Sequence, residues 1–373
     1  MNFDFSDDQK MLQQAARDFL TENAPLTVCR SVLESRQPFS AEVWKGVAQL
    51  GWLGTAVPES CGGAGFGHLE LAVIAEEVGR SLAPIPFAST ACLAIEAIVM
   101  AGTAAQQQEH LPRLASGAGI GTFAVAERPG QNGTEGVETV FDGSTVTGTK
   151  VPVLDGEAAD LAVVVARDGD GLSWVLVDLA GPGVQRAVID SFDPSRPFAR
   201  IAFSGAPAVR LGEAGAGAAL TARLFDRAAV LLAFEQLGSA ARAFEITRAY
   251  TMQRFAFGRP IASFQALKHR LADLWCAIEL ARSNCYYGAW ALSNDDPELP
   301  VAACLARISA SEAFDAVARD MIQMHGGVGY TWEYDCHLFY RRAKLLSSVL
   351  GTNASWKDRL IARIENKEGA AAA

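Results

Sequence analysis

A group of donors surrounds a short break in the chain at Phe257-Gly258-Arg259-Pro260. Arg254, Arg259, Gln265, Lys268 and His269 supply guanidinium, amide, ammonium and imidazole groups within a few turns of backbone. Such groups grip phosphate oxygens well, because charge-assisted N–H bonds to phosphate are short and strong. A glycine beside them lets the backbone come close. A phosphate or pyrophosphate is therefore one ligand for this corner. The same residues would also make an ordinary solvated basic corner, since charged side chains are normally exposed.

The elements that position these donors are helices. Upstream, Phe225 to Arg254 contains no Gly or Pro except Gly238. Downstream, Leu267, Leu271, Leu274 and Ile278 recur at spacings of four, three and four, which lines one helix face. Gly258 can take φ > 0 and Pro260 cannot continue a helix, so a helix–turn–helix hairpin is predicted.

The whole stretch, YTMQRFAFGRPIASFQALKHRLAD from Tyr250 to Asp273, resembles the signature of the acyl-CoA dehydrogenase family, flavoenzymes that desaturate acyl-CoA thioesters. Two further stretches carry the same resemblance. One is QMHGGVGYTWEY from Gln323 to Tyr334, with LFYRRAK from Leu338 to Lys344. The other is the opening FSDDQKMLQQAARDFL, followed by WKGVAQLGWLGTAVPESCGGAG. Together they cover nearly the whole chain in the family's order. The resemblance implies FAD as cofactor, with Arg254, Phe257, Gln265, Gln323, Gly326, Gly327 and Thr352 in its site. It also implies an acyl-CoA substrate and an electron-transfer flavoprotein as electron acceptor. A tetramer is implied too, either of identical chains or mixed with a paralogue.

The reaction implied is α,β-dehydrogenation, in which a carboxylate takes the α-proton and the thioester oxygen is hydrogen-bonded. Here the chain departs from the pattern. The usual glutamate before Gly351-Thr352 is Leu350, and a second family position for it is Ala228. The family's Thr-Glu-Pro-Gly reads Ala126-Glu127-Arg128-Pro129-Gly130, and its Trp-Ile-Thr reads Pro152-Val153-Leu154. These departures resemble a branch that includes heteromeric enzymes acting on steroid side-chain CoA esters.

Glu235, in LLAFEQLG, is the remaining acid of interest. It lies seven residues beyond Ala228, so a helix puts both on one side, and an apolar neighbourhood would raise its pKa toward that of a useful base. A hydrogen-bonded core carboxylate is the other reading. The leading expectation is an FAD-dependent dehydrogenase with Glu235 as displaced base. A non-catalytic companion subunit of a heteromeric enzyme is the second. A relative doing other chemistry on a CoA ester is the third.

The remaining sequence sets the frame. Net charge is −10, which argues against a nucleic-acid partner needing a general basic surface. Seven scattered cysteines form no C-x-x-C pair, which fits reduced thiols and neither disulfides nor a metal site. The first residues lack a signal-peptide core, and no apolar run is long enough to span a bilayer, so a soluble cytoplasmic protein is expected. Residues 1–118 read as helical, 119–213 as short β-rich runs, and 214–373 as a helical bundle. The expected fold is α+β, mainly α: an N-terminal helical domain, a central antiparallel β barrel or sandwich, and a C-terminal four-helix bundle.

Overall fold

The computed structural model describes residues 5–371. It opens with α1 (Asp7–Asn23), α2 (Leu26–Ser35), α3 (Ala41–Gln49) and α4 (His68–Arg80). Ser6 starts α1 through a capping box: its Oγ accepts from the Gln9 amide at 3.2 Å while Gln9 Oε1 accepts from the Ser6 amide at 3.0 Å. Ser40 caps α3 through its hydroxyl alone, accepting from the Val43 amide at 3.4 Å. A π-helical segment, Ala88–Ile95, runs into α5 (Glu96–Ala101), and α6 (Ala104–Ala115) follows.

Eight strands come next: β1 (Gly121–Ala124), β2 (Val140–Phe141), β3 (Thr145–Leu154), β4 (Leu161–Asp168), β5 (Gly171–Asp178), β6 (Val184–Ile189), β7 (Phe198–Pro207) and β8 (Val209–Leu211). They form one open sheet in the order β6-β7-β3-β2-β4-β5-β8, with β1 beside β4. The mainly α, α+β fold is the expected one, but in place of the expected antiparallel barrel or sandwich the central strands form an open, mixed sheet. Both β1 and β2 run parallel to β4, and the edges are not closed. At Gly121 an added Cβ would sit 2.5 Å from that of Ala94. β1 is thus pressed against the π-helical segment before it meets β4.

The C-terminal part holds α7 (Gly217–Gln253), a small ribbon of β9 (Phe255–Ala256) and β10 (Arg259–Pro260), α8 (Gln265–Ser293), α9 (Leu299–His325), α10 (Cys336–Leu346) and α11 (Asn353–Ala371). The stripe Phe314, Val317, Met321 and Met324 on α9 is buried in the bundle core, as its spacing predicts. Helices α4 and α7 meet unusually closely. A Cβ added at Gly238 would lie 1.8 Å from the Glu76 carbonyl oxygen, and one at Gly79 would lie 1.9 Å from that of Glu235. Ser239 Oγ donates across the crossing to the Gly79 carbonyl at 2.8 Å. No described helix is long and apolar enough to cross a membrane.

Candidate functional site

The break after α7 is a two-residue hairpin turn. Arg259 pairs with Ala256 and Pro260 with Phe255, and the turn residues Phe257 and Gly258 have φ of +53° and +78°. Both central residues are left-handed, which suits the twist of the ribbon but disfavours a phenylalanine there. Phe257 is nonetheless 95% exposed, with its edge toward Phe264. Arg259 lies 4.2 Å over the Phe264 ring. Arg254, Gln265, Lys268 and His269 are exposed around this turn, and no described carboxylate pairs with Arg254. Gln265 also opens α8, whose first amides have no side-chain cap and so add positive character to the same corner.

The second motif lies beside the first. Tyr250, one turn before Arg254, stacks on His325 at 4.1 Å and donates its hydroxyl to the His325 carbonyl at 3.3 Å. That contact ties the end of α7 to the turn after α9. Gln323 is exposed there, Gly326 has φ +63°, and a Cβ at Gly326 or Gly327 would meet nothing within 4 Å. The Tyr250–His325 contact thus brings the helix end that carries Arg254 up to the exposed Gly326–Gly327 turn.

Thr352 is placed elsewhere. It lines a cavity of about 300 Å³ with Leu93, Phe123, Pro152, Leu154 and Leu350. Thr352 Oγ1 accepts from the Ser355 amide at 3.3 Å, so it also caps the start of α11. Leu350 takes φ +63° and points the loop between α10 and α11 at this cavity. No described residue lining it is a carboxylate.

Glu235 does not line that cavity either. It is buried, with Oε1 3.3 Å from Arg196 Nη1 and 3.7 Å from Arg342 Nη1. Arg196 also holds Asp155 at 3.0 Å, and Arg342 holds Asp193 at 2.6 Å. Glu235 therefore faces two guanidiniums, not the apolar surroundings its sequence neighbours suggest. Its seven-residue offset from Ala228 keeps the helix face but moves it ~10.5 Å along α7. That distance carries it to the corner where the sheet's Arg196 docks. Burial works against the charge on Arg196, yet Asp155, Glu235 and Asp193 together hold its guanidinium above its ordinary value.

The loop that carries Leu350 is fixed from below by Arg307. This buried residue donates to the Leu346 carbonyl, to that of Val349 at 2.7 Å, and to Gln236 Oε1 at 2.6 Å. Burial lowers its pKa to about 10. Lys150, also fully buried, bonds Glu127 at 2.7 Å and the Val125 carbonyl at 3.0 Å. That pair anchors the loop bearing Arg128. Neither Arg307 nor Lys150 carries a sequence signal that marks it as buried.

A larger recess of about 770 Å³ adjoins the apolar cavity and shares Pro129, Gly130, Gln131, Asn132 and Phe225 with it. Arg128, Arg359 and Arg363 line the recess. Arg359 donates to the Asn132 carbonyl and lies 4.7 Å over the Trp356 ring. Burial and the neighbouring Arg363 both lower its pKa. The spacing of Arg359 and Arg363 on one helix face was the available sequence signal for them.

Arg363 pairs with Asp226 at 2.9 Å. Burial pushes the Asp226 carboxyl up to about 6, against the pull of Arg363. The folded protein thus holds this proton more tightly than the unfolded chain, whose aspartates titrate near ~3.9. The group's stabilisation is complete below that value and is lost as pH rises through about 6. We expect wild type minus Asp226→Asn stability to fall by ~1.4 kcal/mol per pH unit between these limits. Urea melts at pH 4 to 7 measure it, and a difference that stays flat or rises with pH contradicts the assignment.

Two family models match the chain: the acyl-CoA dehydrogenase N-terminal domain over residues 6–118 and the C-terminal domain over 215–365. The chain is 32% identical to the acyl-CoA dehydrogenase IpdE2 of Mycolicibacterium smegmatis, covering 96% of this chain and 99% of that one. Among solved structures it is similar to a variant of the Tcur3481–Tcur3483 steroid ACAD, with TM-score 0.88 and 32% identity over 98% and 99% of the two chains. It is also similar to the ChsE4–ChsE5 complex of Mycobacterium tuberculosis, with TM-score 0.89 and 27% identity over 98% and 99%.

Proposed function

Because the chain belongs to the acyl-CoA dehydrogenase family, whose members oxidise acyl-CoA thioesters with FAD, we propose that it serves as the companion subunit of a heteromeric member. The observation that carries this reading is the contrast between its two half-sites. The hairpin and the Gly326–Gly327 turn are exposed and ready for a ligand. The cavity beside Leu350 has no carboxylate among its described lining residues.

The fit of these residues to FAD divides in the same way. Arg254 and Gln265 would hold the pyrophosphate, Phe257 would cover the adenosine, and the open glycines would let backbone amides approach. Around the ring position, Pro152, Leu154 and Leu350 offer apolar surface, and the polar side chains of the lining are Gln131, Asn132, Ser348 and Thr352. Bound FAD supplies the hydride acceptor. In this reading the base that takes the α-proton belongs to the paralogous partner, and this chain lends its hairpin to the partner's flavin. The similar steroid ACAD favours a steroid-derived acyl group on the CoA ester, and the family resemblance an electron-transfer flavoprotein as acceptor.

The test is an absorbance spectrum of the purified chain, alone and mixed with its paralogue and FAD. We expect flavin bands only in the mixture, which reduces with acyl-CoA. A yellow homotetramer that oxidises acyl-CoA unaided overturns the reading. In the mixed enzyme, Arg254→Ala should weaken FAD retention by roughly 10- to 100-fold, the loss of one charged hydrogen bond. Equilibrium dialysis checks it, and unchanged occupancy removes Arg254 from the site. If Glu235 were the base instead, it would have to act from between Arg196 and Arg342.

A further inference from the structure

A second cavity, of about 520 Å³, shares no lining residue with the hairpin or with the apolar cavity. It lies among the turn after α9, the outer side chains of α10, and Phe192 from the loop between β6 and β7. Tyr330, Trp332, Tyr340 and Phe192 give it aromatic walls, and Arg341 and Lys344 come from the LFYRRAK stretch that the flavin site leaves unused.

Two features make it more than a gap between elements. First, the aromatic groups divide into fixed and open ones. Trp332 is fixed: its indole donates to Glu34 at 2.9 Å and stacks on His337 at 4.6 Å. Tyr330 and Phe192 are open, 88% and 76% exposed. Second, cations outnumber anions in a chain whose net charge is −10. Lys344 and Arg319 share one carboxylate, Asp315. Arg341 has no carboxylate partner among the described residues and instead donates to the Phe192 carbonyl at 2.8 Å, 5.6 Å over the Trp332 ring. A guanidinium fixed by a carbonyl and a ring keeps its charge free for an incoming anion.

We propose that this cavity binds a nucleotide, its planar base against the open rings of Tyr330 and Phe192 and its phosphate on Arg341. The proposal is independent of the companion reading. Base stacking on an aromatic side chain and phosphate binding by arginine are separate contributions, so each can be removed alone. The nucleotide is either free or the end of a larger carrier such as CoA, and both present the same chemistry.

Calorimetry on the full chain in its native assembly, with ADP, adenosine and pyrophosphate as probes, tests it. ADP should bind more tightly than either fragment. Tyr330→Ala, at an exposed side chain whose loss leaves the core untouched, should weaken ADP by roughly tenfold and leave pyrophosphate unchanged. Arg341→Leu should weaken ADP and pyrophosphate by roughly 10- to 100-fold. FAD is kept saturating throughout, so that the flavin corner is filled and the probes report this cavity alone. CoA displacing ADP would identify a carrier as the source, and CoA failing to displace it a free nucleotide. Absence of ADP binding, or ADP binding indifferent to both Tyr330→Ala and Arg341→Leu, overturns the proposal. Adenosine binding as tightly as ADP removes the phosphate contact and overturns it too.

Discussion

Arg196→Met should lower stability by about 3–5 kcal/mol, while Glu235→Gln should cost much less. The difference follows from counting charges in one buried cluster. Asp155, Asp193 and Glu235 carry three negative charges, and Arg196 and Arg342 two positive ones. Removing Arg196 leaves Asp155 and Glu235 buried with only Arg342 for three carboxylates. Removing the charge of Glu235 instead leaves two acids matched to two guanidiniums. The double variant should therefore be more stable than Arg196→Met alone, a coupling expected of residues that share partners. Guanidinium chloride melts of the four proteins give the comparison. The same Glu235→Gln protein settles its chemistry. With the base elsewhere, the assembled enzyme should reduce its flavin with acyl-CoA at the parent rate. A loss of roughly 10²–10⁴-fold would restore Glu235 as the general base.

Gly238→Ala is expected to be the most damaging single methyl addition in the bundle. Helix propensity alone says the reverse, a gain of roughly 1 kcal/mol for alanine over glycine. The crossing decides the sign. The new Cβ would meet the Glu76 carbonyl oxygen at 1.8 Å, and a backbone carbonyl in a buried helix cannot swing aside as a side chain can. Overpacking costs typically about 1–3 kcal/mol, and a backbone clash belongs at or above the top of that range. We expect Gly238→Ala to lose at least ~3 kcal/mol, or to fail to accumulate as folded protein, in a thermal melt followed by circular dichroism. A variant as stable as the parent would mean that α4 and α7 can move apart freely.

The two glycines show where sequence stops being informative. Gly238 stands out only as an interruption in an otherwise unbroken helical run, and nothing local says that Gly79 lies opposite. Periodicity does reveal the helices and the α9 core stripe, because those depend on residues a few positions apart. The hairpin was legible for the same reason: Gly258 and Pro260 break the chain locally. Strand order was not, since β1 and β2 join β4 in parallel through contacts made far along the chain. Glu235 is the sharpest instance. Its sequence neighbours are apolar, whereas its spatial neighbours are guanidiniums from residues 196 and 342. Burial can be guessed from a helix pattern, but the partner of a buried charge cannot.

Arg307 has a wider consequence. It grips the segment before Leu350 through two main-chain carbonyls, of Leu346 and Val349, and not through any side chain of that segment. That grip therefore does not depend on which side chain residue 350 carries. On the function proposed above, a proton acceptor at residue 350 is fitted or withdrawn without touching that grip. Two copies of such a gene can then divide their labour, one keeping the acid and the other keeping the shape.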